Sequence, residues 1–144
     1  MGNTVVVGAE SYLFDLVAAS DEILLSADTE KFQSTTIYVK VKEVKITRSG
    51  TYRIKFDLRV NLVGADAYGR VRKNGVAFGT ERITGLTSYT TYTEDLIFSA
   101  EDLVQLYFKN DIGRTVYTRN FRVCGKIPLK ADPTLLDLGT VQMD

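Results

Sequence analysis

The sequence predicts an all-β protein, an antiparallel β-sandwich or jelly roll of about eight strands. Residues 51–60 alternate strictly between large apolar and polar side chains, a period that fits a half-buried strand and not a helix. Similar segments recur along residues 21–125 at roughly 10–15-residue spacing, without a long helical pattern. Turn pairs such as Ser49-Gly50 and Asn74-Gly75 separate them.

The segment 51–60 predicts a central strand with one apolar face and one charged face. Its apolar residues are Tyr52, Ile54, Phe56, Leu58 and Val60, and its charged residues are Arg53, Lys55, Asp57 and Arg59. The short connection 47–50 predicts antiparallel pairing with the preceding strand, 36–46.

The strand 36–46 changes phase partway along. Its first apolar residues are Ile37, Val39 and Val41, and Val44 and Ile46 have the other parity. A slip of one residue exchanges the two faces of a strand. We therefore predict a β-bulge near Lys42-Glu43 or, alternatively, a strand that passes from one sheet to the other there.

The other predicted strands follow the same style. They span 22–27, 67–73, 76–83, 89–98, 103–109 and 115–124. Asn74-Gly75 predicts a type I′ hairpin, and Gly79 predicts a bulge or a close backbone approach. The nearly continuous apolar run 103–109 is typical of a strand that is buried on both faces.

The two ends of the chain differ from its middle. We expect an N-terminal arm over 1–20, the jelly-roll sandwich over 21–125 and a C-terminal arm over 126–144, where Pro128 and Pro133 interrupt the pattern. Apolar residues in such arms predict that the arms lie on the domain or on a neighbouring subunit.

Composition excludes several classes of function. Eighteen basic and eighteen acidic residues cancel, so neither nucleic acid nor a membrane is an expected partner. No apolar run reaches the roughly 18 residues of a membrane span. The first residues lack a secretory-signal pattern, which predicts a chain kept in a reducing cytosol. Cys124 cannot form an intrachain disulfide, and we expect it to be buried.

The sequence offers no catalytic constellation. Histidine is absent, which removes the commonest general base and metal ligand. Three acidic pairs are expected to be solvated turn charges rather than a calcium site: Asp21-Glu22, Glu94-Asp95 and Glu101-Asp102. No phosphate-binding glycine motif occurs. We therefore expect no enzyme and no catalytic, cofactor-binding or metal-binding residues.

Aromatic and basic residues offer two weaker signals. Arg70, Arg72 and Lys73 follow Tyr68 on one strand, which predicts a solvated face or intersubunit salt bridges rather than a nucleic-acid site. Eight Tyr and seven Phe could form a carbohydrate-binding platform, but more often such residues fill cores and interfaces. The absence of Trp weakens the platform interpretation.

Four phrases together resemble a sequence type common in phage virion proteins. They are Arg-Ser-Gly-Thr-Tyr-Arg-Ile-Lys-Phe-Asp-Leu (48–58), Tyr-Gly-Arg-Val-Arg-Lys-Asn-Gly-Val-Ala-Phe-Gly-Thr-Glu (68–81), Phe-Ser-Ala-Glu-Asp-Leu-Val-Gln-Leu-Tyr-Phe-Lys (98–109) and Arg-Asn-Phe-Arg-Val (119–123). Their order is similar to that of the jelly roll of tumour necrosis factor and complement-type heads, although Glu101-Asp102 replaces the Gly-Asp usual in the complement-type heads. Those families form trimers.

The resemblance implies a virion structural protein that is assembled in the host cytoplasm. We expect a homotrimeric capsid decoration (cement) protein that bridges capsomers and stabilises the phage head. Its partners would be further copies of itself and the major capsid protein or other virion proteins. The alternative is a tail-tip or head-fibre module that recognises a host-surface glycan through loops 61–66, 84–88 and 110–114.

Overall fold

The computed structural model describes residues 16–128, which form two antiparallel sheets stacked as a sandwich. The strands of this part of the chain are β1 (Ala18–Ala27), β2 (Lys31–Gln33), β3 (Val39–Lys45), β4 (Gly50–Val60), β5 (Ala67–Lys73), β6 (Val76–Ala77), β7 (Arg82–Thr84), β8 (Thr90–Phe98), β9 (Leu103–Asn110) and β10 (Val116–Lys126). The predicted all-β sandwich is therefore confirmed. None of the described residues forms a helix that could cross a membrane.

The first sheet has the order β1-β10-β4-β8, with β2 paired to the start of β10. The second has the order β3-β9-β5-β6, with β7 also paired to β5. As predicted, β4 is an interior strand, since it pairs with β10 on one side and β8 on the other. In the second sheet β9 holds the corresponding interior place between β3 and β5.

The core lies between the sheets and is built from the apolar parity of each strand. Its largest fully buried hydrophobic side chains are Phe98, Phe121, Ile46, Ile54, Leu58, Leu106, Val60, Val71, Val104, Val116 and Val123. Burying each such side chain stabilises the fold by roughly 1.5–3 kcal/mol. Gly69 faces this core, where an added Cβ would lie 2.8 Å from the Phe56 ring.

The predicted pairing of 36–46 with 51–60 is wrong, because β3 and β4 belong to opposite sheets. The short connection between them arches across the core instead of closing a hairpin. Val17 takes the place beside the start of β4: its N–H donates to Ser49 O (3.0 Å), and Thr51 N–H donates to its carbonyl (2.8 Å). An added Cβ on Gly50 would lie 2.3 Å from Val17 N, so only glycine fits this crossing.

The predicted bulge in β3 is confirmed. The register shifts between Lys40, which is opposite Tyr107, and Lys42, which is opposite Leu106. Lys42 is buried as a result, and its Nζ donates to Thr29 O at 2.6 Å. Burial lowers the pKa of its ammonium group below the ordinary value.

The predicted hairpin at Asn74-Gly75 is also confirmed, with φ of 52° and 85° at the two residues. The returning strand, predicted over 76–83, is divided into β6 and β7. Between them the chain approaches β8, where an added Cβ on Gly79 would lie 2.9 Å from Glu94 Oε1. Thr80 N–H donates to the same carboxylate oxygen at 2.9 Å. Phe78 N–H and Gly79 N–H both donate to the Val71 carbonyl, at 3.2 and 3.0 Å, so the close approach predicted for Gly79 lies where the regular pairing with β5 is interrupted.

The limits of the sandwich differ slightly from those predicted. β1 begins at Ala18, within the stretch predicted as the N-terminal arm, and β2 lies in a region predicted as loop. The remainder of the two predicted arms, 1–15 and 129–144, lies outside the described residues. Cys124 is buried as expected, and burial raises the pKa of its thiol.

Candidate functional site

The outer surface of the second sheet carries a cluster of tyrosines and cations, which we call the tyrosine face. Its members are Tyr38, Tyr68, Arg70, Arg72, Tyr107 and Lys109. The alternation of β5 explains why this cluster points outward: Ala67, Gly69 and Val71 are buried, and the residues between them are half-buried. The basic residues predicted to share one face of this strand therefore do so at positions 70 and 72.

The strand register places rings and cations beside one another. Tyr68 on β5 is opposite Lys109 on β9, and in the adjacent outward row Arg70 is opposite Tyr107. Arg72 is opposite Gln105, one row further along. Each of the first two rows therefore pairs one phenol ring with one cationic side chain.

Cation–π contacts hold these side chains in place. The Arg72 guanidinium carbon lies 4.1 Å from the centroid of the Tyr107 ring and 5.6 Å from that of Tyr38. Lys109 Nζ lies 4.8 Å from the Tyr68 centroid and 5.0 Å from that of Tyr38. Contacts of this kind contribute about 0.5–1 kcal/mol each at exposed sites. The face is therefore ordered without an apolar cover.

Hydrogen bonds fix two more members of the tyrosine face. Tyr38 Oη donates to Glu81 Oε2 at 2.6 Å, and Arg70 Nε donates to the Gly79 carbonyl at 2.8 Å. Burial, together with the hydrogen bond to Glu81, raises the pKa of Tyr38. Its hydroxyl therefore stays neutral to a higher pH than an ordinary tyrosine hydroxyl does.

The cations of the tyrosine face lack anionic partners within the described chain. No carboxylate among residues 16–128 forms an ion pair with Arg70, Arg72 or Lys109. Arg72 Nε is buried and has no hydrogen-bond partner among these residues. Glu81 keeps its negative charge while it accepts from the Tyr38 hydroxyl. This one carboxylate offsets only one of the three cations, so the face carries an excess of positive charge among the described residues.

The outer face of the first sheet has similar ingredients, and we call it the paired face. The Arg59 guanidinium carbon lies 3.8 Å from the Tyr117 ring centroid, and that of Arg119 lies 4.0 Å from the Tyr89 centroid. The Phe32 ring lies 5.7 Å from the Tyr117 ring, centroid to centroid. This face therefore also consists of aromatic rings covered by guanidinium groups.

On the paired face, however, the cations have carboxylate partners. The pairs are Arg53–Asp95 (2.8 Å), Lys55–Asp21 (2.9 Å), Arg119–Asp57 (3.1 Å), Arg122–Asp28 (3.0 Å) and the looser Arg59–Glu30 (3.9 Å). Asp57 is buried and also accepts hydrogen bonds from Thr91 Oγ1 (2.7 Å) and Asn120 Nδ2 (3.0 Å). The charges of this face therefore neutralise one another.

The three loops predicted to carry recognition meet at one end of the sandwich. The buried side chain of Asn110 connects two of them: its Nδ2 donates to Asp66 O (3.0 Å), and its Oδ1 accepts from the N–H of Ile112 (2.9 Å) and of Arg114 (2.6 Å). Leu86 of the third loop accepts a hydrogen bond from Val60 N–H at 3.0 Å. Four aliphatic side chains are exposed on these loops: Leu62, Val63, Leu86 and Ile112.

The three predicted acidic pairs do not meet at a single site, although Asp21 and Asp95 both contact Arg53, at 3.1 and 2.8 Å. Asp102 accepts hydrogen bonds from Ser99 N–H (2.8 Å) and Asn74 Nδ2 (2.9 Å), whereas Glu101 pairs with Lys45 at 2.9 Å. No group of three or more acidic or cysteine side chains that could hold a metal occurs in the described part of the chain. The absence of catalytic, cofactor-binding and metal-binding residues stays a prediction.

Sequence reasoning did not bring Tyr38, Tyr107 and Lys109 together with β5. The prediction that 103–109 is buried on both faces is wrong for its second half, where Tyr107 and Lys109 are half-buried on the outer side. The available signal is the alternation of Gln105, Tyr107 and Lys109. Their contact with β5 depends on the β5–β9 register, which the sequence does not contain.

Comparison with known proteins identifies no family. No family model and no curated protein matches the chain. Among solved structures, the C-terminal CBM6 of the laminarinase LamC from Zobellia galactanivorans is 13% identical, with a TM-score of 0.42, over 71% of this chain and 92% of that one. The CBM22-1 xylan-binding domain of Xyn10C from Paenibacillus barcinonensis is 12% identical, with a TM-score of 0.44, over 75% and 97%.

A third similar structure is the carbohydrate-binding module CBM6cm-2 of Cellvibrio mixtus lichenase 5A, in complex with cellotriose. It is 12% identical, with a TM-score of 0.42, over 76% of this chain and 96% of that one. These values are too low to support an inference about function, so the assignment of the fold depends on the strand pairing described above. The comparisons give no support to the phage, capsid-decoration, tumour-necrosis-factor-like or trimer expectations, which stay predictions.

Proposed function

We propose that the chain is a non-catalytic module that binds a glycan on its tyrosine face. One observation carries the proposal: three half-buried tyrosines from separate segments lie on one sheet surface among cations that have no ion-pair partner between residues 16 and 128. Rings and polar donors in that combination match the two chemical features of a sugar, its C–H faces and its hydroxyl groups.

Different members of the tyrosine face would contact the C–H faces and the hydroxyl groups of the sugar. The phenol rings of Tyr38, Tyr68 and Tyr107 supply apolar surface for the C–H side of a pyranose ring. Arg70 and Lys109 donate hydrogen bonds to ring substituents. Tyr68 and Arg70 stand on β5, Tyr107 and Lys109 stand on the paired strand β9, and Tyr38 immediately precedes β3. Their spacing is therefore fixed before binding, which lowers the entropic cost of association.

The alternative predicted from sequence, a tail-tip or head-fibre module that recognises a host-surface glycan, is the biological setting that this proposal fits best. It concerns a sheet face, however, and not the three loops first assigned that role. The decoration role and the homotrimer stay predictions, because no feature of the described residues favours them over glycan binding.

Affinity electrophoresis of the full chain through gels containing neutral and acidic polysaccharides tests the proposal. We expect retardation by at least one polysaccharide. Tyr107→Ala should reduce the affinity about tenfold because it removes a central ring of the face. Tyr117→Ala, which removes a similarly half-buried ring from the paired face, is the matched control and should leave retardation unchanged.

Thermal melts of both variants separate a loss of binding from a loss of folding. If Tyr107→Ala is too unstable, Tyr68→Ala at the neighbouring row replaces it. An equal loss of affinity in Tyr107→Ala and Tyr117→Ala would show that the binding site is not the tyrosine face. If no polysaccharide retards the protein, the proposal is contradicted.

A further inference from the structure

We infer that the glycan bound by the tyrosine face is acidic, carrying carboxylate or sulfate groups that contact Arg70, Arg72 and Lys109. This inference depends on the proposed function and adds the chemical class of the ligand. It follows from a difference in charge pairing between the two outer faces, from the position of the cations between the rings, and from the donors that those cations leave free.

The two outer faces differ in how many of their cations are paired with carboxylates. Five cations on the paired face lie within 4 Å of a carboxylate, and Arg70, Arg72 and Lys109 on the tyrosine face have none among the described residues. An anionic ligand there would gain charge-assisted hydrogen bonds without breaking an existing ion pair. On the paired face the same ligand would have to displace a protein carboxylate.

The position of the cations also suits a substituted sugar. Lys109 Nζ lies within 5.0 Å of the centroids of both Tyr38 and Tyr68, and Arg72 lies between Tyr38 and Tyr107. A pyranose ring stacked on any of the three phenols would therefore place a ring substituent next to a cation. An exocyclic carboxylate or sulfate ester is a substituent of suitable charge and length.

The free donors are on the two arginines. Arg70 uses Nε for the Gly79 carbonyl, and its terminal nitrogens have no hydrogen-bond partner within residues 16–128. Within the described residues, Arg72 makes a single long hydrogen bond, from Nη1 to the Gly75 carbonyl at 3.4 Å. A guanidinium in this condition can receive a carboxylate or sulfate through two parallel hydrogen bonds.

The same face argues against a nucleic-acid ligand. Glu81 and Glu43 are exposed at its margins, and the whole chain has a formal net charge of zero. A phosphate backbone with one charge per nucleotide requires a broader basic field. Carboxylates at the margin of the face suit a ligand that has hydroxyl groups to donate as well as anionic groups.

Isothermal titration calorimetry with four probes tests the inference: oligogalacturonate for carboxylate, a sulfated oligosaccharide for sulfate, uncharged oligosaccharides of matched length, and single-stranded oligonucleotide. We expect one acidic oligosaccharide to bind about tenfold more tightly than its neutral counterpart, with affinity that falls as salt increases. Preference for the carboxylate or the sulfate probe identifies which anionic group is recognised.

Two charge-neutralising variants should remove this preference. Lys109→Gln and Arg70→Gln should each lower affinity for the acidic probe about fivefold to tenfold and lower affinity for a neutral probe by a clearly smaller factor, because glutamine still donates a hydrogen bond but carries no charge. Lys55→Gln on the paired face is the matched control and should change neither. All three sites are at the surface, and melting temperatures verify that the variants fold.

The possible failures are distinguishable. Neutral and acidic probes that bind equally, with no effect of salt, would overturn the inference and leave the proposed function intact. Tighter binding of the oligonucleotide would overturn the inference in favour of a different ligand class. Binding of none of the oligosaccharides would contradict the proposed function itself.

Discussion

The two outer faces of the sandwich both carry cations stacked on tyrosine rings, but they differ in whether those cations have carboxylate partners. On the paired face Arg59 and Arg119 stack on tyrosine rings and also have carboxylate partners. On the tyrosine face Arg72 and Lys109 stack on tyrosine rings and have no carboxylate partner among the described residues. Stacking of cations on aromatic rings therefore does not by itself distinguish a structural surface from a binding surface.

The criterion that separates the two faces is whether the fold neutralises its own charges. On a face whose charges are paired, an external anion must displace a carboxylate of the protein before it can bind. Cations that are stacked but unpaired can bind an external anion directly, and leaving them unpaired costs little stability. The paired face should therefore contribute more to stability than to binding, and the tyrosine face should show the opposite.

The largest effect on stability is expected at the centre of the paired face. Asp57→Asn weakens a buried acceptor of three side-chain hydrogen bonds, from Thr91, Arg119 and Asn120. We expect the free energy of unfolding, measured by urea denaturation, to fall by about 2–3 kcal/mol. The glycan affinity of the folded fraction should be unchanged.

Asp95→Asn is the control for this prediction, because Asp95 lies on the same face in an exposed pair with Arg53. Its effect on the urea midpoint should be much smaller, as is typical of surface ion pairs. If the two substitutions lowered the free energy of unfolding equally, burial of Asp57 would not explain its contribution to stability.

A matched pair of arginines tests the comparison more directly. Arg59 and Arg72 lie at similar distances from a tyrosine centroid, 3.8 and 4.1 Å, but of the two only Arg59 has a carboxylate partner in the described part of the chain. We expect Arg59→Met to lower the free energy of unfolding by about 1 kcal/mol.

Arg72→Met should lower the free energy of unfolding less, or raise it, because it removes a buried Nε–H that lacks an acceptor in the described chain and keeps the apolar stem. Chemical denaturation of both variants measures the difference. A larger loss for Arg72→Met would contradict the assignment of the tyrosine face to binding rather than stability.

The smallest predicted effect is on the pH dependence of stability, and it involves one tyrosine of each face. Burial and a hydrogen bond to Glu30 raise the pKa of Tyr89 to about 12, and burial and Glu81 raise the pKa of Tyr38. The unfolded chain releases these protons near pH 10, before the folded protein does. Their stabilising effect is therefore complete below pH 10 and is lost as the pH rises towards 12.

Tyr89→Phe and Tyr38→Phe should each flatten the decline of stability between pH 10 and pH 12. Denaturation at several pH values in this range provides the measurement, and the difference between variant and wild type cancels the titration of lysines. Unchanged slopes in both variants would show that neither hydroxyl is held in its neutral form.

Much of the fold was predictable because a strand with a buried face has a two-residue period. The alternation in β4, the phase change in β3 and the turn at Asn74-Gly75 each depend on neighbours in the sequence, and each is found in the structure. The partner of β3 was not predictable in this way. A short connection suits both a hairpin and an arch between sheets, and only the insertion of Val17 beside Gly50 decides between them.

The candidate site was predictable only in part for a related reason. The outward alternation of Tyr68, Arg70 and Arg72 is local and visible in the sequence. The rings and the lysine that complete the site come from positions 38, 107 and 109, and their placement depends on the register between strands that are distant in sequence.

The loops at one end of the sandwich are anchored at their base and open to solvent at their tips. The Asn110 side chain lies at the base of two loops, while at Gly64 and Gly113 on their tips no atom of the described residues lies within 4 Å of an added Cβ. A foreign peptide grafted at Gly64 would project into solvent and leave the anchoring amide undisturbed, whereas one grafted at Gly113 would separate the N–H groups of Ile112 and Arg114, which both donate to Asn110 Oδ1. The loop that carries Gly64 is therefore suited to library construction and epitope display, with the ten-stranded framework as an unchanging carrier.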